Sequence, residues 1–379
     1  MDYLRILFIF LVSISDFNES MENLILISVF IMTISRIFNF LFNRNNNNSH
    51  IINSVNLIVF LLILTHFISL ITNLSFDSMP FEPSLKFILY FVIFYEVISI
   101  EDISSKKNYI LILLFIFSLF HLITVFNAES LRNNFLYADP NYLFFIYSLY
   151  LYLLTFCYRS SVSSFNKISS LLLSVVVFYL MLSTQSRGGI IAFGFAALYF
   201  IISIKRSVYF KITLIFIVSI STYLFSSYFE LSEKILSRLS NQKFSDKGAQ
   251  DSRIIEFNSA LNTLLNNPEY ILVGTGPNNY SDIKKKFISY DYKVSRVHNT
   301  TIGILFESGF LALLAYISLF YILFKYFKDP IERSFIVYAF VNSQSIFVIS
   351  FIAFWILIAF LININKYKNE RSDSLYMYR

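Results

Sequence analysis

Apolar runs of about 20 residues, the length needed to cross a bilayer, recur roughly every thirty positions along nearly the whole chain. Each run is continuously apolar rather than alternating, which selects membrane helices over the strands of a barrel. Composition agrees. The 379 residues are 56% hydrophobic and 14% charged, where a soluble protein carries nearer a quarter charged. The sequence therefore predicts an all-α, polytopic membrane bundle of about 12 transmembrane helices. Their spans fall near 3–15, 23–42, 51–72, 85–100, 108–126, 142–158, 168–184, 189–204, 208–229, 300–324, 335–347 and 350–364. The last two form one apolar stretch too long for a single span, and Asn342-Ser343-Gln344-Ser345 breaks it. The first run lacks a small-x-small cleavage site and leads into Asp16-Phe17-Asn18-Glu19, so it reads as a short span rather than a signal peptide.

The net charge of +6 invites a nucleic-acid partner, but its placement excludes one. Basic residues gather in alternate short loops: Arg44, Lys106 and Lys107, Arg159 and Lys167, Lys205, Arg206 and Lys211, Lys325, Lys328 and Arg333, and the tail from Lys366. The intervening loops carry Asp16, Glu19 and Glu22, Asp77 and Glu82, and Glu129 and Asp139. This bias predicts that the first set, with both termini, is cytoplasmic. The lone Cys157 excludes an internal disulfide.

The chain divides by hydropathy into membrane helices over 1–229, a large outer loop over 230–299, and membrane helices with a cytoplasmic tail over 300–379. The ten Lys and Arg of the long loop do not count against an outer location, since long loops translocate largely regardless of charge. Within it, Ser252 to Asn267 predicts an amphipathic helix ended by Pro268, with Ile254, Phe257, Leu261, Leu264 and Leu265 on one face. Lying on the membrane, that helix would form a lid. Asn45 to Asn48 reads as a slack inner turn, and no internal repeat is evident.

Candidate chemistry gathers at the outer face. Arg187, in Thr184-Gln185-Ser186-Arg187-Gly188-Gly189, stands in a short turn where orientation calls for no cation. Glycines, a helix amino end and a guanidinium together suit an anion; a snorkelling arginine beside packing glycines is the plainer alternative. Arg253 opens the amphipathic helix, and Arg132 lies near Asp139-Pro140-Asn141, where Asp139 also suits a helix cap. His298 is the histidine at the outer edge, where the polar loop meets the run 300–324, and it is the general-base candidate. Glu307 lies about two turns below, inside the run, where it would orient an acceptor or pair with a polar neighbour. Gly274-Thr275-Gly276 lacks the third glycine and the βαβ setting of a nucleotide loop and reads as a turn. No cofactor is implied, and no Cys/His cluster or Asp-x-Asp pair argues for a metal.

Together, Asp139-Pro140-Asn141, the Arg187 turn, Asp251-Ser252-Arg253 leading to Gly274-Thr275-Gly276, and His298-Asn299 with Glu307 and Gly309 resemble the bacterial O-antigen ligase/polymerase family of membrane glycosyltransferases. The resemblance covers about the last two-thirds of the chain, and the first third offers only hydropathy. It implies an inner-membrane enzyme, its active site facing the periplasm, acting on undecaprenyl-diphosphate-linked oligosaccharide without metal or nucleotide sugar. Carried over, Arg187 and Arg253 hold the diphosphate with Gly188 and Gly189, and His298 activates the attacking hydroxyl. Asn299, Glu307, Arg132 and Asp139 join the substrate-binding set, and a separate chain-length regulator is a suggested partner. The ligases of the family carry Gly, Thr or Tyr three positions beyond Gly309; Ala312 stands there and favours polymerase over ligase. A flippase for the same lipid-linked unit is the rival from another class, but it would show repeated halves and ionisable groups at mid-membrane.

Overall fold

A computed structural model describes residues 2–14, 50–73, 81–127, 140–216, 220, 252–277, 279–280 and 297–377. The predicted span 23–42 and most of 221–251 and 281–296 lie outside them. Among the described residues every regular element is helical. In order these are α1 (Asp2–Ile14), α2 (His50–Thr72), α3 (Phe81–Ile98), α4 (Lys107–Asn127), α5 (Pro140–Ser160), α6 (Ser164–Ser183) and α7 (Arg187–Ser203). After the helical stretch 208–216 come α8 (Ser252–Asn266), α9 (Pro268–Val273), α10 (Thr300–Tyr326), α11 (Pro330–Asn342) and α12 (Ile352–Met377). Among the described residues five stretches are long and apolar enough to cross a membrane: Asn53–Thr72, Ile103–Phe126, Pro140–Ser160, Ser164–Ser183 and Thr300–Tyr326. Shorter apolar helices run over Phe87–Ile98, Arg187–Ser203 and Ile352–Lys366. This is a multi-pass helical membrane protein.

Local chemistry sets the helix starts. Pro330 takes the first position of α11, where its missing N–H costs nothing, and the Asp329 side chain accepts from the Ile331 N–H at 2.9 Å. Ser186 caps α7 and Asn299 caps α10 in the same way. The predicted break at Asn342-Ser343-Gln344-Ser345 is present as a turn, with α11 ending at Asn342 and α12 starting at Ile352.

The described residues fall into two compact units. One is drawn from Met1–Asn46, Val92–Leu239 and Ile352–Arg379. Its centre is α5, where Phe144, Phe145, Tyr147, Tyr150 and Leu154 are buried, with α4, α6, α7 and α12 around it. In α12, Trp355 meets Phe94 edge-on at 6.0 Å, and the Asn363 amide donates to the carbonyls of Val97, Ile98 and Ile100. Those carbonyls are the ones a helix leaves without intrahelical donors at its end. At the start of the chain, Arg5 pairs with Asp2 at 3.1 Å and Glu96 at 3.5 Å, and Lys106 reaches Asp2 at 3.1 Å.

The other unit is drawn from Asn47–Phe91 and Ser240–Phe351. Here α2 packs along α10, and α10 is not continuous. Gly309 has φ 81° and ψ −176°, so the helix breaks after Ser308 and resumes. A break inside an apolar run strands carbonyls that would have received the next turn's N–H groups. The loop after α9 satisfies them. Thr275 N–H and its hydroxyl donate to the Phe306 carbonyl at 2.7 and 3.0 Å, and Gly276 N–H donates to that of Glu307 at 3.2 Å. The Ser69 hydroxyl donates to the same Glu307 oxygen at 2.5 Å and accepts from Gly276 N–H at 3.0 Å. Asn73 fixes the loop from the end of α2 by donating to the Gly274 carbonyl at 3.1 Å. Gly274-Thr275-Gly276 is thus a backbone patch on a broken helix. The approach is close enough that a Cβ on Gly274 would stand 2.4 Å from the Glu307 carbonyl oxygen, and one on Gly309 2.3 Å from that of Leu272.

Gly309→Ala meets both that contact and a backbone region reserved for glycine. The expected loss is of the order of 1–3 kcal/mol or more, read as a lowered thermal midpoint of the detergent-solubilised protein. An unchanged midpoint would contradict the break.

Candidate active site

His298 stands one residue before the α10 cap, and the start of α10 is clamped from two sides. The Asn299 side chain accepts from Ile302 N–H at 3.0 Å and donates to the Gln344 carbonyl at 3.2 Å. Thr300 N–H donates to the Ser343 carbonyl at 2.9 Å, and the Thr300 hydroxyl donates to the Ile346 carbonyl while accepting from Val348 N–H at 2.9 Å. A Cβ on Gly303 would lie 2.6 Å from the Phe347 ring, so glycine is needed for this turn to close on the helix. His298 is therefore fixed at its backbone before any partner is considered.

Its partner is Glu256, in the second turn of α8. One carboxylate oxygen, Oε2, lies 2.7 Å from His298 Nδ1 and 3.3 Å from the His298 backbone nitrogen. An ionised carboxylate only accepts, so the Nδ1 that faces it carries a proton. The Glu256 side chain is 3% exposed and that of His298 28%, so the carboxylate is held inside and the imidazole reaches outward. Glu256 Oε1 is buried without a hydrogen-bond partner among the described residues.

Behind the pair lies an apolar cluster of Ala260, Leu264, Tyr280, Val297 and Phe306. Ser259 Oγ lies 3.0 Å from the Glu256 carbonyl and 2.8 Å from the Tyr280 hydroxyl, and either hydroxyl of that pair can donate. Burial, with the Glu256 carboxylate adding to it, pushes the Tyr280 phenol up to about 12, against the opposing Ser259 hydrogen bond. The inward face of α8 therefore runs Glu256, Ser259, Ala260, Thr263 and Leu264. Of the apolar face read from hydropathy, Leu264 turns inward while Phe257 and Leu265 are exposed, and the hydrogen bonds of Glu256 and Ser259 hold the polar row against the core.

Of the other expected residues, Arg253 lies in the first turn of α8, three positions before Glu256, and its side chain lies outside the described residues. Arg132 and Asp139 also lie outside them. Glu307 is buried, and its backbone carbonyl is engaged by Ser69 and Gly276. In the other unit, Arg187 is the first residue of α7 and is half-buried. The turn before it places Gln185 at φ 52°, and Ser186 donates to Asn141 Oδ1 while accepting from Gly189 N–H at 3.0 Å. A Cβ on Gly189 would stand 2.4 Å from the Phe144 ring. Gly189 thus serves helix packing, and its N–H is used by the cap.

Glu256 is the residue that sequence reasoning missed. Its position among the polar residues of an amphipathic helix looks like an ordinary solvated face, and nothing in the linear spacing links it to a histidine 42 residues on.

The described geometry is a histidine held by a buried carboxylate at the head of a membrane helix, with Arg253 in the preceding turn of the carboxylate's own helix. Residues 172–317, which include Arg187, Arg253, Glu256 and His298, match the family model described as O-antigen ligase. Over that region the chain is similar to the O-antigen ligase family, a likeness that supports an O-antigen ligase/polymerase-like protein. No curated protein matches the chain.

The Tyr280 phenol is expected to ionise near pH 12 rather than near the ~10 of a free tyrosine, read as the alkaline difference spectrum between wild type and Tyr280→Phe. Because the folded-state value is the higher one, this group's contribution to stability is complete below pH ~10 and lost as pH rises toward 12. Ionisation of that difference signal near pH 10 would place Tyr280 in water instead.

Proposed function

We propose that the protein is an O-antigen (surface polysaccharide) polymerase of the bacterial inner membrane. It moves a glycan chain from its polyprenyl diphosphate carrier to a lipid-linked repeat unit at the periplasmic face. Both termini lie in the cytoplasm, and no metal takes part. The observation that carries this reading is the 2.7 Å pairing of His298 Nδ1 with Glu256, which sets the orientation of the imidazole.

In the proposed step Nε2 of His298 takes the proton of an acceptor sugar hydroxyl. The hydroxyl oxygen bonds to the anomeric carbon of the donor, and the bond from that carbon to the diphosphate oxygen breaks. The diphosphate leaves with the bonding pair, still attached to the polyprenyl chain. Glu256 is a positioning residue: it fixes the tautomer and steadies the imidazolium once formed, as the carboxylate does in a Ser-His-Asp triad. The roles of Arg187 and Arg253 come from the sequence resemblance alone: each is proposed to neutralise charge on the leaving diphosphate, a task that guanidiniums perform by bidentate hydrogen bonding. Gly188, Asn299, Glu307, Arg132 and Asp139 complete the proposed substrate-binding set, and a chain-length regulator is the proposed partner.

The family description names ligase, and that supports a second reading in which the acceptor is lipid A-core. The residue at 312 supports polymerase. The buried Ala312 lies where the ligases carry Gly, Thr or Tyr.

Purified protein in vesicles, given lipid-linked repeat units alone, is expected to produce a ladder of longer chains. Transfer that requires lipid A-core would favour the ligase, and no transfer to either acceptor would sink both. His298→Ala is expected to lower kcat by roughly 10²–10⁴-fold, the range of general-base losses. Glu256→Gln is expected to cost roughly 10–10²-fold in kcat with KM little changed, since it disturbs the base and not the substrate contacts.

A further inference from the structure

Phe257, Leu261 and Leu265 repeat every four residues along α8, on the side turned away from the Glu256–His298 pair. Phe257 is 38% and Leu265 64% exposed, and Leu272 of the adjoining α9 is 68% exposed. Large apolar side chains in such a row do not stay in water without a reason.

Their level in the unit supplies the reason. Along α10 the exposed large apolar side chains are Phe310, Leu311, Leu314, Ile317 and Tyr321, all beyond Gly309. Before Gly309, Ile304 and Phe306 are buried and Ile302 and Leu305 partly so, covered by the unit's own polypeptide. The lipid-facing part of α10 therefore begins at the break. On α2 the exposed row that starts at Leu57 ends at Ile71, two residues before Asn73 donates to the Gly274 carbonyl. Two helices thus place the edge of the lipid-facing surface at the Gly274–Gly309 crossing. Leu272 lies at that crossing, its carbonyl against Gly309.

We infer that α8 and α9 dock on the bilayer surface, with Phe257, Leu261, Leu265 and Leu272 inserted at the boundary between headgroups and acyl chains. Short amphipathic helices bind membranes in this way, seating their apolar side about 5–10 Å deep. The row is continuous with the lipid-facing surfaces of α2 and α10. Adjacent residues then divide the labour. Glu256 points inward to hold His298, and Phe257 points outward into lipid, so the depth of α8 sets the height of the imidazole above the acyl chains. The inference requires only a multi-pass membrane protein and holds whether or not the chain transfers glycans.

The test is nitroxide labelling of single cysteines in a Cys157→Ala background, with the protein in phosphatidylethanolamine–phosphatidylglycerol vesicles. Labels replacing Phe257, Leu261, Leu265 and Leu272 are expected to show a several-fold higher ratio of oxygen to nickel-chelate accessibility than labels replacing Asn258 and Asn262. Equal ratios at both sets would overturn the inference. So would labels at 261 and 265 shielded from both reagents and broadened by a second molecule, which would mean that another copy of the chain covers the row. No transfer activity is read, so failure here is separable from failure of the proposed function.

Discussion

In a membrane helix an unpaired carbonyl has no water to fall back on, and several kcal/mol are at stake for each one. The break at Gly309 creates this problem for Phe306 and Glu307, and the donors that solve it come from Thr275, Gly276 and Ser69. Much else in that unit follows from the solution. Gly274 and Gly309 must be glycines because two backbones cross with no room for a Cβ. The loop must follow α9 directly, and α9 must follow α8 after a single residue, so α8 is delivered to the side of α10. The histidine at the head of α10 thereby receives a carboxylate from a helix far away in sequence.

The site depends on rigidity from three directions. Asn299 and Thr300 tie the head of α10 to the turn after α11, the loop at Gly276 ties its break to α2, and Glu256 ties His298 to α8. The proposed role of His298 as a base needs such support, because an imidazole free to rotate would spend little time in the useful tautomer and direction. The open, apolar side of α8 is the complement of this arrangement: the hydrogen bonds claim one face of the helix and leave the other to lipid.

The second unit solves a different problem. Its α5 is buried on most sides by aromatic side chains, and its polar contacts are brief and local, such as Asn363 on the end of α3 and Ser186 with Asn141 below Arg187. The turn before Arg187 holds a non-glycine residue at positive φ, and the Ser186 cap makes that conformation the start of a helix. A guanidinium is thus presented at a fixed helix start, while Gly189 is consumed by packing against Phe144.

Hydropathy alone carried the all-helical membrane class, and residue type singled out His298 before its partner was visible. Twenty-residue apolar runs, a break at Asn342–Ser345, a helix ended by Pro268 and a histidine at a loop-to-helix junction are local facts that the chain displays in one dimension. The apolar row of α8 was legible, but that its polar row would face the core was not. Hydrogen bonds to His298 and Tyr280 turn that polar row inward. Nor was the role of Glu256, or the use of Gly274-Thr275-Gly276 to close a broken helix 30 residues downstream. Those depend on which distant backbone atoms are left without partners, and that is decided only when the helices have packed.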